Sequence, residues 1–301
     1  METYFVRHTL GCAVDKTTRE RMWRENRIFV HFPWDKSGNK TADSKSLNPD
    51  DYNGFRKGGI SALNRLAADG GFVAAHFIDH DNWLVGQIAP NSKIEIREGK
   101  WRPEELEQSG LKNHDGIVIL KTLKLTNCRQ IVPASYALLQ AVQPRQGTIM
   151  RWHKAGGLVE AIVTGQKPKI SFDLLSPAHQ ETLCAEFLRR PIASQFGLPQ
   201  LDCVLCDVGR SMKDLDIFGL ATDGGKIFAQ VTHDVLKKAE HKIAALKKYQ
   251  ENKHDHLILF CDHEKQEIRD GVIIAPIKEV FKNFTVTQSG KRWLQGVFPE
   301  I

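Results

Sequence analysis

The chain has 301 residues, 41% of them hydrophobic and 26% charged, which supplies real cores and excludes a disordered or fibrous protein. No apolar run reaches the roughly eighteen residues of a membrane span, and METYFVRHTLGCAV lacks the basic-then-apolar plan of a secretion signal, so an intracellular, cytoplasmic protein is expected. A net charge of +6 permits a polyanionic partner without requiring one.

At this length two domains are expected. The first half reads as short strands rich in Val, Ile and aromatics: RIFVHFPW, GFVAAHFI, NWLVGQIA, KIEIRE and GIVILKTLKL, divided by Gly, Asn, Asp and Pro. The polar stretch DKSGNKTADSKSLNPDDYNG between the first two predicts an exposed loop. After it, Ile60, Leu63, Leu66 and Ala67 recur at helical spacing, with Gly70 closing the helix. Short strands with one or two helices predict a small curled sheet or barrel. In the second half, Ser176 as N-cap and Pro177 in the first turn start a helix. The strands LDCVLCDV, DLDIFGL and KIFAQVT follow. Leu236, Ala239, Ile243 and Leu246 then mark a second helix, and HLILFC and GVIIAPI read as buried strands. The plan is mixed α/β, with one domain over 1–152, a connecting segment over 153–175 and a second domain over 176–301.

The six cysteines are scattered, as in a reducing compartment. Cys203 and Cys206 form a CxxC within an apolar strand, where residues three apart face opposite sides. A zinc site recruiting Cys261 and His263 is therefore disfavoured against buried structural cysteines.

Alternation in DLDIFGLATDGGKIFAQVT assigns Leu215 and Ile217 to a core face, with Ile227, Ala229 and Val231 on that of the next strand. Asp214, Asp216, Phe218, Lys226, Phe228, Gln230 and Thr232 then share the opposite face. This is either a solvated sheet face or a Mg²⁺ site, since Mg²⁺ takes a few hard oxygen ligands and keeps several waters. Glu186, on the preceding helix, is the expected further acid. Lys237, Lys238, Lys242, Lys247 and Lys248 on the following helix either neutralise DNA phosphates or form a solvated face.

In the order Glu186, VGRSMKDLDIFG, KIFAQVT, lysine-rich helix and apolar strand, residues 176–275 resemble the PD-(D/E)xK nuclease superfamily, in the flavour of the Mrr-like restriction endonucleases. The resemblance implies a mixed sheet flanked by helices, Mg²⁺ as cofactor and DNA as substrate. It matches Glu186 to the helix-borne acid, Asp216 to the central metal-binding aspartate and Gln230 to the residue offering the metal an oxygen. The family's lysine falls two residues after Gln230, where this chain has Thr232. A hydroxyl cannot replace the charge of an ammonium at a developing transition state. Either Lys226, Lys237 or Lys238 takes the lysine's place, or the site is impaired.

MWRENRIFVHFPW concentrates aromatic rings. Trp23, Phe29, His31 and Trp34 either wall a pocket that stacks a flat base or fill the core of a small barrel. With TYFVRHT before them and GGFVAAHFIDHDNWLVGQI after, residues 1–150 resemble the EVE-type modules of the PUA-like superfamily, which are associated with modified bases in nucleic acid. The resemblance implies a PUA-like curled barrel, Trp23, Trp34 and Trp83 (with His31) as pocket residues, and Asp79 and Asp81 as polar readers. The two resemblances together imply a modification-dependent restriction endonuclease of antiphage defence. It would act on modified double-stranded DNA, as a homodimer if both strands are cut. A second expectation is a nucleic-acid-binding sensor or regulator whose nuclease fold has lost catalysis, with Thr232 as its mark. A third is that the first domain reads RNA.

Overall fold

Thr3–His8 (β1) and Gly71–Phe77 (β3), both almost wholly buried, pair in parallel inside a five-stranded sheet in the computed structural model. The structure describes residues 1–9, 13–32, 45–104, 116–168, 170–206, 212 and 214–298. The fold is mixed α/β and divides into two compact units, Met1–Lys169 with Phe298–Ile301, and Ile170–Val297. No helix among the described residues is long and apolar enough to cross a membrane.

In the first unit, β4 (Trp83–Ile88), β7 (Thr126–Ile131) and β8 (Ile149–Arg151) complete the large sheet in the order β7-β4-β3-β1-β8. A second, antiparallel sheet has the order β2-β6-β5, from Arg27–Val30 (β2), Ile117–Lys124 (β6) and Glu95–Lys100 (β5). The expected barrel is thus two sheets over one core among the described residues. Tyr4, Val6, Val73, Ala75 and Leu84 from one sheet meet Ile28, Val118, Leu120 and Leu123 from the other. Helices Lys16–Arg24 (α1) and Gly54–Asp69 (α2) add Met22, Trp23, Ile60, Leu63 and Leu66 to that core. A short helix, Ala137–Ala141 (α3), buries Leu138 and Leu139. The segment read as a connection contains a further helix, Gly156–Thr164 (α4), which packs on β1, β3, β4 and β7. Leu158, Val159, Ile162 and Val163 give it a buried face, so residues 153–164 belong to the first unit.

The second unit is a six-stranded sheet in the order β13-β14-β12-β11-β10-β9. Its strands are Leu201–Cys206 (β9), Ile217–Ala221 (β10), Lys226–Val235 (β11), His256–Asp262 (β12), Glu267–Arg269 (β13) and Val272–Pro276 (β14). Strands β9, β10 and β11 form an antiparallel meander, and β11, β12 and β14 run parallel. Helix Leu236–Lys247 (α7) follows β11 directly. Its Leu236, Ala239, Ile243 and Leu246 pack with Leu215, Phe228, Leu257, Leu259 and Val272. Pro177–Leu188 (α5) and Ile277–Val286 (α8) pack on each other, α5 also on β11 and α8 also on β12 and β14; Ile192–Gln195 (α6) and Gln288–Val297 (α9) complete the helices described.

Burial under α7 overturns one expectation. The face carrying Phe228, Gln230 and Thr232 is not solvated, since these side chains are 3%, 9% and 8% exposed. Strand β11 is buried on both faces from Ile227 to Gln230 and becomes exposed only at His233–Val235. Leu215 also lies in the α7 core with Phe218 and Phe228, away from the face assigned to it, because regular pleating begins only at Ile217.

Candidate functional site

Asp216 sits one residue ahead of β10, where its backbone N–H donates to the Ala229 carbonyl at 2.9 Å. Its Oδ2 accepts from the Val231 N–H at 2.7 Å, which latches the carboxylate to β11 beside Gln230. Burial pushes the Asp216 carboxyl above the ordinary aspartate range, while the Val231 N–H and then the charge of Lys242 oppose that rise. Gln230 is buried, and its Oε1 has no hydrogen-bond partner. An orphaned buried carbonyl oxygen is uncommon and asks for an explanation, a bound ion being one.

The acid of α5 that is coupled to Asp216 is Glu181. Burial, and next the charge of Asp216, raise its carboxyl to about 7. One turn along, the Cys184 thiol is pushed well above its usual value by burial and then by Asp216 and Glu181. Glu186 does not join them. Its carboxylate pairs with Arg190 at 3.0 Å and Arg189 at 3.7 Å. Helical phase explains the difference: at about 100° per residue, Glu186 points away from buried Cys184 while Glu181 shares its side. That phase is readable in the sequence from Leu183, Cys184, Phe187 and Leu188, and it is the signal that identifies Glu181.

The lysine question also changes. Lys226 opens β11, four residues before Gln230, and its ammonium is paired with Glu251. The Thr232 hydroxyl donates to Asp234 Oδ2 and accepts from the Asp234 N–H, both at 3.2 Å, which fixes it in a local turn. Lys237 and Lys238 are exposed, whereas Lys242 is half-buried.

Among the described residues, no three His, Cys, Asp or Glu side chains form a group that holds a metal. Asp216 and Gln230 of the hairpin with Glu181 of α5 would offer two carboxylates and one amide, a donor chemistry that suits a hard divalent cation supplemented by water. The cysteine set does not fit zinc. Cys203 is exposed on β9 and Cys261 is buried on β12, with two strands between them, while His263 lies 3.6 Å from Glu267. The Cys206 side chain lies outside the described residues.

In the first unit the expected pocket residues are dispersed. Trp23 belongs to the core between the sheets, and its ring is already stacked on His80 at 4.0 Å and 10°. Trp83 lies on the other face of the five-stranded sheet, 5.3 Å from Phe5 and 6.0 Å from Trp152, so Trp23 and Trp83 cannot wall one pocket. His31 is buried edge-on against Trp101. Asp79 is held by Arg19 through paired contacts of 2.6 and 2.9 Å, which keep its carboxyl below the usual range, and Asp81 is exposed. Trp34 lies outside the described residues.

Sequence reading passed over His8, which is fully buried, stacks on Phe29 at 4.0 Å and has no partner for either ring nitrogen. Burial, then the charges of His76 and Arg19, lower it to about 3, so its ring is neutral at physiological pH. No family model, curated protein or solved structure matches this chain.

Proposed function

We propose that the chain is a metal-dependent endodeoxyribonuclease, with the hydrolytic site at Asp216, Glu181 and Gln230 and with modified double-stranded DNA as substrate. The observation that carries the reading is the orphaned Gln230 oxygen, one residue from the Val231 N–H that holds Asp216, together with the coupled carboxyls of Asp216 and Glu181 whose protonation burial favours. Buried groups of this kind, strongly perturbed and held together by separate elements, mark functional sites more often than structural ones. The mixed sheet, with its antiparallel meander leading into parallel strands and helices packed upon it, supports the restriction-endonuclease-like plan.

Asp216, Glu181 and Gln230 would hold Mg²⁺, and Mg²⁺ when bound polarises the scissile phosphate and makes water more acidic. The Val231 N–H fixes Asp216, so its free oxygen is presented without reorganisation. In the hydrolysis, water adds to phosphorus and the bond to the leaving sugar oxygen breaks. That oxygen takes up a proton and the attacking water loses one. The base-reading role of the first unit rests on its EVE-type resemblance, with Trp23 and Trp83 filling core positions rather than offering free faces.

The test is cleavage with Mg²⁺ of unmodified DNA, DNA with modified cytosines and DNA with modified adenines, beside Asp216→Ala. Cutting of one modified substrate, lost in the variant, is the expected result. The local turn that ties Thr232 to Asp234 favours the alternative of a sensor or regulator without catalysis. Tight DNA binding without cutting of any substrate would establish that alternative.

A further inference from the structure

The net positive charge of the chain comes from a single segment. Residues 116–159 contain no Asp or Glu, and six of the 42 Lys and Arg lie there: Lys121, Lys124, Arg129, Arg145, Arg151 and Lys154. The other 36 match the 36 Asp and Glu of the chain. Two of the six are engaged within the protein. Lys121 is fully buried, with its ammonium 5.5 Å from the centre of the Tyr52 ring, and Arg151 pairs with Glu2 at 2.7 Å. Lys124, Arg129, Arg145 and Lys154 are exposed, and no carboxylate among the described residues pairs with them.

The fold lays much of this segment over the outer face of the five-stranded sheet. Strand β7 forms one edge of that sheet and β8 the other, with α3 between them in the chain. Trp152, just after β8, packs on Phe5 and Trp83 away from the core between the sheets, and its indole N–H donates to the Val142 carbonyl at 2.8 Å. Arg7 of β1 donates to the carbonyls of Pro144 and Arg145 and so holds the loop before β8. On β7, Cys128 packs towards the core, so Arg129 takes the outer side, where its guanidinium would lie 3.0 Å from a Cβ at Gly165, the end of α4. Lys154 stands just before α4, and Glu160, exposed on α4, is the acid that bounds the segment.

We propose that this layer is the surface by which the first unit takes hold of duplex DNA, with backbone phosphates set against Arg129, Arg145 and Lys154 and with Lys124 at the margin. The proposal rests on the reading of DNA as substrate. Such contacts position a duplex without reading its sequence, and each phosphate neutralised releases counterions, so added salt weakens binding.

The test measures affinity of the full chain for a labelled, unmodified duplex, without divalent cation, between about 50 and 200 mM salt. Wild type is compared with Arg129→Gln/Arg145→Gln/Lys154→Gln and with Arg24→Gln/Arg65→Gln/Lys93→Gln, which removes three exposed cations elsewhere on the same unit. The first triple variant should make the slope of log affinity against log salt shallower by about 0.9 per contact, about 2.7 in all. The second has the same net charge and should keep nearly the wild-type slope. Arg129→Lys/Arg145→Lys keeps both charges and should keep the slope as well. Equal slopes for the two triple variants overturn the surface, and the nuclease reading stands if wild type still cleaves with Mg²⁺. Wild type that binds no duplex DNA even at the lowest salt, or binds RNA alone, overturns both the surface and DNA as substrate. Should the first triple variant fail to fold, Arg145→Gln/Lys154→Gln supplies the comparison with an expected change of about 1.8.

Discussion

Gln230 is the residue at which stability and function pull apart. An unsatisfied buried acceptor costs about 1–3 kcal/mol, and Oε1 of Gln230 has no partner in the protein. Gln230→Leu, similar in volume, should therefore stabilise the metal-free protein by about 1 kcal/mol in urea unfolding while abolishing Mn²⁺ binding. A destabilised variant would show that the amide is structural. Glu181 makes the companion case through pH. Its carboxyl titrates near 4.5 in the unfolded chain and at about 7 in the folded one, so the folded state binds a proton more tightly. Stability contributed by that proton is fully present below about 4.5 and is lost as pH rises to about 7. Discounted for the exposure of Glu181, the effect is about 1–2 kcal/mol. Glu181→Gln should thus match wild type at pH 4, exceed it increasingly up to pH 7 and keep a constant advantage above, as unfolding of the metal-free protein across that range would show. Alternation and the nuclease resemblance single out Asp216 and Gln230 as candidates, whereas the motif admits any nearby helix acid, and it takes the helical phase of Leu183, Cys184, Phe187 and Leu188 to separate Glu181 from Glu186.

At the scale of the element, the start of α5 decides where Glu181 stands. The Ser176 hydroxyl accepts from the His179 N–H at 3.2 Å and lies 2.7 Å from His179 Nδ1, with Pro177 in the first turn. Ser176→Ala removes the cap and should cost about 1 kcal/mol in chemical denaturation. An unchanged midpoint would mean that packing alone fixes the helix end. This terminus and the span of α7 were readable because capping and apolar periodicity are local signals. Exposure of the hairpin face was not readable. Alternation says which residues share a face, but whether a helix lies over that face is settled by tertiary packing. The close approach of β9 to β10 was equally hidden. A side chain at Gly219 would place its Cβ 2.7 Å from the Cys203 carbonyl oxygen, so Gly219→Ala should part the strands and lower the thermal midpoint of the protein. A wild-type midpoint in that variant would mean that β9 shifts without cost.

Over the whole molecule, charge is divided as unevenly as texture. Residues 170–297 contain 17 Lys and Arg and 17 Asp and Glu, so the entire net charge of +6 belongs to the other unit. Electrostatic affinity for a polyanion scales with the phosphates neutralised, and it is the part of binding that salt removes. The neutral unit nevertheless contains both carboxylates and the orphaned amide. The two properties should therefore separate when the chain is divided. A fragment of residues 170–297 should melt cooperatively and bind Mn²⁺ with the affinity of the whole chain, since every residue assigned to the site is within it. Its affinity for duplex DNA should be far weaker, with a shallower dependence on salt, because the net positive charge has been removed. Equal salt slopes for fragment and whole chain would place the duplex on the lysines of α7 instead and would leave the first unit with no electrostatic share in binding. A fragment that fails to fold would mean that its core depends on the remainder of the chain.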